Sequence, residues 1–319
     1  MIQRRRGGVI NMSPNNFTLL SPDGTLWIAE DRACPGCGAT ATKTFGARGG
    51  VAHHERKGVR TNIVQCLQCD IVYTKPTLVP QSNPYATETA DEYFQMHDSQ
   101  EKTRTGEWLA ASAETILKRK GKILEIGCGR GELLVGAANR GWDVYGIEMT
   151  NAFAQIACSM GINVECSSAE ESTSLDDTYD VILLAAILEH LYDPVDILKR
   201  VHAALRPGGL VFIDVPNELS LTMRVGNFYM RLRGRDWAIN LSPTFSPFHV
   251  VGFSPKALTR VLASVGFRVH NMWMPRWRNP PPRGNTVVGK FEHLGLGVVA
   301  RVGEVIRMGD GICCWAVRE

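Results

Sequence analysis

Residues 123–131 read Ile-Leu-Glu-Ile-Gly-Cys-Gly-Arg-Gly, an apolar run with one acid that is then broken by glycines at 127, 129 and 131. Ile123, Leu124 and Ile126 suit a buried parallel strand. Gly127 and Gly129 allow positive φ and let main chain approach a ligand with no Cβ in the way. In open α/β sheets, ligands bind beyond the carboxyl ends of the strands, where such a loop lies. The spacing is G-x-G-x-G, with Glu132 standing where a dinucleotide fingerprint has its third glycine. Glu125 places a second acid beside the loop. Two flanking carboxylates repel a pyrophosphate and suit a cationic sulfonium bearing an amino group. Adenosylmethionine is therefore favoured over a dinucleotide.

Four cysteines form a second group with chemistry. Cys34-Pro-Gly-Cys37 and Cys66-Leu-Gln-Cys69 are two C-x2-C pairs separated by 28 residues. Each pair puts two thiolates on one tight turn, and two turns supply the four tetrahedral ligands of a structural zinc. A redox pair or buried free thiols are the alternatives, and the pairing of two knuckles favours the metal. Four protein ligands leave no open coordination position, so this ion builds structure rather than performing chemistry. His53 and His54, between the knuckles, are read as solvent-exposed and not as ligands.

Strands and helices must alternate to position the glycine loop. A helix over residues 132–140 follows it and is halted by Gly141; a strand over 143–147 then ends at Glu148. A carboxylate there suits the paired hydroxyls of a ribose. A helix near 152–160 and a strand over 162–166 precede a Ser-Ser-Ala-Glu loop, where Ala169 and Glu170 are placed to read an adenine edge. Residues 181–188 form the longest apolar run and read as a buried central strand. Residues 205–209 read as a turn and 210–215 as a strand; 267–274 and 312–317 read as a closing antiparallel pair.

These residues together resemble the class I S-adenosylmethionine-dependent methyltransferases, in the subgroup similar to ubiquinone-biosynthesis methyltransferases. The resemblance rests on the glycine loop, Glu148, Ile-Leu-Glu-His-Leu-Tyr-Asp-Pro at 187–194, the stretch 205–217 and the stretch 249–267. It covers residues 105–319. It implies an α/β, Rossmann-like seven-stranded methyltransferase sheet with a reversed last strand, here preceded by a small zinc-ribbon-like module. The cofactor is expected on Glu125, Gly127, Cys128, Gly129, Gly131, Glu148, Met149, Ala169, Glu170, Ala185 and Ala186.

Methyl transfer is an in-line displacement, so holding donor and acceptor in line supplies much of the acceleration. A hydroxyl acceptor has a high pKa and gains from a general base, most often histidine. His190 follows the central strand directly and is the first candidate, with Glu189 placed to orient it or to bind the acceptor. His249 is the second. Asn279-Pro-Pro-Pro282 resembles a nucleobase-methyltransferase tetrapeptide but lies too late in the chain, and is read as a rigid loop.

Composition sets the remaining bounds. Five of the nine cysteines, 128, 158, 166, 313 and 314, have no disulfide-framework spacing, which fits a reducing, cytoplasmic setting. Arg4, Arg5 and Arg6 are followed by no secretory apolar core, and no segment is long enough to span a bilayer. A net charge of +3 is too slight to indicate a polyanion partner. Residues 1–20 are expected as a flexible basic arm, 21–80 as the zinc module with a hairpin about Ser-Pro-Asp-Gly, and 81–104 as a linker whose Tyr93 and Phe94 either pin it to the catalytic domain or help close the cofactor site. The methyltransferase domain takes 105–319, with a lid at 218–250 and a helical insertion at 275–310. The lid carries Met223, Phe228, Tyr229, Met230 and Trp237 among Arg224, Arg231, Arg233 and Arg235, which suits an anionic small acceptor held at its phosphate. Phe291, Leu294, Val298, Val302 and Val305 share one helix face, expected as core or homodimer contact. The reading is methyl transfer to a small-molecule hydroxyl, sugar-like or nucleotide-sugar. An RNA methyltransferase and an inactive scaffold are the alternatives, nucleic acid being disfavoured by the lack of a basic stripe or stacking platform.

Overall fold

The computed structural model describes residues 9–12, 16–21, 24–50, 58–82, 99–276 and 287–319, with main chain only for 9–17 and 287–294. His53, His54, Tyr93, Phe94, the 279–282 proline run and the side chains of Phe291 and Leu294 lie outside the described residues.

The amino-terminal part is built from strands. β1 (Val9–Met12), β2 (Asn16–Leu20) and β3 (Leu26–Glu30) form an antiparallel ladder that β7 (Thr77–Pro80) completes. Within the stretch expected as a flexible arm, the described residues 9–12 and 16–20 are strands, β2 pairing with one edge of β3 and β1 with β2. A second sheet joins β4 (Thr42–Arg48), β5 (Thr61–Cys66) and β6 (Val72–Lys75) in antiparallel order. The first cysteine pair lies between β3 and β4. The second makes the turn from β5 to β6, closed by hydrogen bonds from Cys66 N to the Ile71 oxygen (2.8 Å) and from Asp70 N to the Cys66 oxygen (3.1 Å).

Helix α1 (Ser99–Leu117) already includes residues assigned by sequence to a linker. The chain then alternates: β8 (Lys122–Ile126), α2 (Glu132–Asn139), β9 (Asp143–Ile147), α3 (Asn151–Ser159), β10 (Asn163–Glu165), β11 (Tyr179–Ala185), α4 (Pro194–Ala204) and β12 (Leu205–Pro216). Later come α5 (Leu221–Leu232), β13 (Val251–Gly252), α6 (Pro255–Ser264), β14 (Phe267–Trp273), α7 (Val287–Val305) and β15 (Gly311–Arg318). The main sheet has the order β10-β9-β8-β11-β12-β15-β14, all parallel except β15, which runs antiparallel to both neighbours.

Val181, Ile182, Leu183 and Leu184 are fully buried, as a central strand covered by helices on both faces requires. Residues 205–209 are the bulged start of β12 and not a separate turn; Leu205 pairs with Tyr179, then four residues intervene before Leu210 pairs with Val181. Helix α6 begins as its Ser254-Pro255 start signal dictates, with Ser254 Oγ accepting from Ala257 N at 3.0 Å.

On α7, Ala300 is buried whereas Val298, Val302 and Val305 are 55, 47 and 82% exposed. Of the two roles expected for this face, these valines do not take the core one: they point outward, and it is Gly303 of α7 that meets Leu221 of α5. No described helix is long and apolar enough to cross a membrane.

Candidate functional site

The glycine loop leaves β8 with Gly127, Gly129 and Gly131 at φ 70°, 55° and 80°. The amides of Gly127 and Cys128 both donate to the Ile147 oxygen, at 2.8 and 3.0 Å, so the loop is moored to the end of β9. A Cβ on Gly127 would lie 2.1 Å from Ile187 Cδ1, whereas one on Gly129 would meet nothing within 4 Å. Gly127 therefore admits the turn after β11, and Gly129 faces open space where a ligand can approach main chain. Cys128 is buried against Gly146, where a Cβ would lie 2.6 Å from its sulfur.

Glu148 sits at the end of β9 and binds the loop with one oxygen, accepting from Gly129 N at 2.9 Å, while the other accepts from Thr150 N at 2.7 Å. Each carboxylate oxygen keeps a second acceptor site, which suits a vicinal diol. Met149 beside it is 46% exposed.

The two acids expected to repel a pyrophosphate behave differently. Glu132 is paired with Arg130, whose Nε donates at 2.7 Å, and also accepts from Ser99 Oγ at 3.3 Å. Glu125 is 4% exposed; burial drives its carboxyl well above the usual range, and its Oε2 has no hydrogen-bond partner among the described residues. A buried acceptor without a partner at the foot of this loop fits the ammonium of an amino-acid-like ligand.

The loop expected to read an adenine edge is tied down by a residue that sequence reasoning missed. Arg200 of α4 donates to the carbonyls of Ala169 (2.7 Å), Glu170 (2.6 Å) and Ser172 (2.5 Å). Ala185 ends β11. Ala186 adopts φ 56° with its amide on the Asp214 oxygen at 2.8 Å, a left-handed conformation unusual for alanine and held by the neighbouring strand.

Beyond Ala186 the chain makes a 3-10 turn over Leu188–His190. The turn carries Glu189 and His190 to the carboxyl end of the sheet, and the segment before β13 brings His249 to meet them. The imidazole centroids of His190 and His249 are 4.8 Å apart, and His249 Nε2 lies 3.9 Å from Glu189 Oε1. Val250 N donates to the Glu189 oxygen (2.8 Å), while Ser242 N donates to the His249 oxygen (3.1 Å) and Ser242 Oγ accepts from His249 N (3.2 Å).

Burial pushes Glu189 up to about 8, assisted by the nearby Asp214 and Glu218 carboxyls. Burial also lowers His190 to about 4, against the pull of hydrogen bonds to main chain at Phe248 and Pro247. His249 falls to about 3, from burial and from the adjacent His190. At neutral pH the cluster is an uncharged acid beside two uncharged imidazoles, with Glu189 Oε2 lacking a hydrogen-bond partner among the described residues. Such a group can accept a proton from a hydroxyl, and its three ligand atoms, all within 4.8 Å of one another, can also hold a cation. Glu218, 2% exposed and pushed up to about 6 by burial, accepts from Asn240 Nδ2 at 2.7 Å. Neither Glu218 nor Asp214 was singled out by sequence, since lone acids at strand ends carry no motif.

The four cysteine sulfurs also converge within 4.8 Å of one another, with Cys34–Cys69 at 3.4 Å and Cys37–Cys66 at 3.6 Å. Tetrahedral zinc thiolates stand about 2.3 Å from the ion and hence about 3.8 Å apart, so the donor set fits. Amides of Gly36 and Gln68 donate to the Cys34 and Cys66 sulfurs at 3.4 Å.

The lid residues lie mostly on the surface. Phe228 is 60% exposed; Arg233 lies 5.7 Å from the ring centre of Tyr229, and Arg235 lies 4.5 Å from that of Trp237.

A methyltransferase-domain family model matches residues 97–271, more than half of the chain. A ubiquinone biosynthesis O-methyltransferase of Aeromonas salmonicida is 29% identical over 158 residues, 47% of this chain and 64% of the relative, so just under two thirds of that protein's length is spanned. The protein of the same name from Coxiella burnetii is 28% identical over 163 residues, 49% of this chain and 68% of the relative. Among solved structures, a SAM-dependent methyltransferase from Archaeoglobus fulgidus aligns with a TM-score of 0.46 at 22% identity, over 71% of this chain and 99% of that one. With that family match laid over the seven-stranded sheet and its reversed β15, the chain belongs to the methyltransferase-domain family.

Proposed function

We propose that this protein methylates a hydroxyl of a small, polyhydroxylated acceptor, with S-adenosylmethionine as donor and a structural zinc in the cysteine module. The convergence of Glu189, His190 and His249 at the strand ends beside the glycine loop carries this reading. Glu148 would hold the ribose diol, Glu125 the amino group, and the Gly127–Gly131 main chain the amino-acid portion. Met149, Ala169, Glu170, Ala185 and Ala186 would line the remainder. When bound, the cofactor supplies a methyl group on a sulfonium that departs as a neutral thioether.

The protein's own part is to hold and move a proton. His249, kept uncharged by burial, accepts the proton of the acceptor hydroxyl, and Glu189, whose Oε1 lies 3.9 Å from its Nε2, positions the ring. His190 packs edge-on against that ring and keeps water from it. The buried carboxyls of Glu189, Asp214 and Glu218 offer acceptors for further hydroxyls, which supports a sugar-like substrate. The relatives named for O-methylation support oxygen as the acceptor atom.

A screen with labelled methyl donor against nucleotide sugars, hydroxylated aromatics and total RNA tests this. Label is expected in a hydroxylated small molecule, with His249→Ala lowering kcat by about 10²–10⁴ while cofactor affinity holds. Label appearing only in RNA, or full kcat in that variant and in His190→Ala, overturns the reading.

A further inference from the structure

His249 is mounted on the cysteine module as much as on the methyltransferase sheet. Two residues beyond it, β13 pairs antiparallel with β6, matching Val251 to Tyr73 and Gly252 to Val72. Strand β6 begins just after the Cys66–Cys69 turn. On the other flank, His249 exchanges hydrogen bonds with Ser242, and the preceding Leu241 oxygen accepts from Arg48 Nε of β4 at 3.0 Å. Arg48 also donates to the Ala238 oxygen at 3.1 Å, and Ala47 exchanges main-chain bonds with Asp236 (2.7 Å) and Ala238 (2.9 Å). The returning half of the lid segment is thus gripped by the β4–β5 hairpin, whose far end carries Cys66.

The seam is closed from the catalytic side too. Tyr192, two residues after His190, donates to the Leu78 oxygen at 2.8 Å. Arg260 of α6 donates to the Gln68 oxygen inside the second knuckle at 2.6 Å, and Lys256 pairs with Asp70 at 2.7 Å. Cys34, Cys66 and Cys69 belong to the same buried cluster as Leu188, Val250, Phe253 and Ala257. By contrast, the bonds that moor Gly127, Cys128 and Glu148 run within the main sheet.

We infer that the metal-loaded cysteine module sets the position of His249, so that metal occupancy governs methyl acceptance while leaving cofactor binding in place. The inference rests on the assignment of His249 above. The four sulfurs join the loop before β4 to the turn before β6, at one end of the sheet that clamps this histidine. Without an ion they hold no covalent link between the knuckles, and the β5–β6 turn is free to open. The second knuckle then loses its grip on β13 and on α6 together, and the imidazole leaves its place against Glu189.

The test uses the full chain, stripped of metal by a chelator under reductant so that no disulfide forms. Three readouts are compared before and after stripping: calorimetric binding of S-adenosylhomocysteine, amide exchange over residues 249–253, and the imidazole resonances of histidine-labelled protein. The expected result is loss of exchange protection over 249–253 by about tenfold or more, displaced His249 resonances, and homocysteine-cofactor affinity changed by less than about twofold. Zinc should restore the first two. Because cysteine variants can unfold, Arg48→Met provides a second route: it should displace the His249 resonances and lower kcat with metal content unchanged. Unaltered resonances and protection in stripped protein overturn the inference, as does parallel loss of cofactor affinity. Displaced resonances in stripped protein whose His249→Ala variant keeps full kcat support the placement and overturn only the assignment of the base.

Discussion

Loss of water drives Glu189 and His249 to the same uncharged condition from opposite directions. An ordinary glutamate titrates near 4.5 and Glu189 near 8. Below 4.5 it is protonated whether the chain is folded or not. Between those values the unfolded chain ionises and the folded one does not, so this group's stabilising contribution is lost as pH rises to about 8, then levels off. The histidines act at the other end: 6.5 is their ordinary value, against about 4 and about 3 in the fold. Their contribution is complete above 6.5 and is lost as pH falls through the folded values. Glu189→Gln removes only the alkaline branch. Its melting temperature relative to wild type should therefore climb from about pH 4.5 to about pH 8 and stay level beyond. A difference independent of pH in a melting series would rule out a buried neutral acid at 189.

At the scale of one element, the loop between β8 and α2 uses its glycines for different ends. Gly127 is crowded by Ile187, while Gly129 stands in open space at φ 55°. Placing alanine at 129 costs about 1–2 kcal/mol of left-handed strain and interposes a methyl where ligand must meet main chain. Gly129→Ala should fold with a modestly lowered melting temperature yet lose cofactor affinity by tenfold or more, an order-of-magnitude expectation for a close approach blocked. Gly127→Ala should be the less stable of the two, since its methyl meets the turn that carries Glu189 and His190. Calorimetry paired with thermal melting separates the two effects; equal cofactor affinity in Gly129→Ala and wild type would remove this loop from the binding site.

For the molecule as a whole, three sheets meet where the chain has its cysteine turns and its strand ends. Distant segments of the chain hold one another at this junction, so a metal at the cysteines matters to more than its own module. Purified protein should carry one zinc per chain by elemental analysis, and Cys37→Ser should lose it. Structural zinc adds folding free energy directly, so chelation should lower the melting temperature of the whole chain. Metal-free protein of undiminished stability, or a disulfide in place of the ion, would contradict this.

Local features were legible because their physics is local. Glycines at 127, 129 and 131 favour a positive-φ turn, an eight-residue apolar run favours a covered strand, and two C-x2-C pairs favour two knuckles; the α/β sheet with a reversed last strand came from the family resemblance these residues carry. What the amino-acid sequence does not encode locally is which distant segments share an edge. A two-residue strand such as β13 has no periodicity to detect, and only the unpaired edge of β6 decides that it pairs there. The same holds for the outward valines of α7, whose stripe is the same whichever side packs, and for Glu189 with His249, which are remote in the chain and meet because the turn after β11 and the segment before β13 come to one place. Their protonation states follow from that meeting and from the water it excludes. The chain therefore dictated its elements and its ligand loop, while tertiary packing alone decided the company its acids and imidazoles keep.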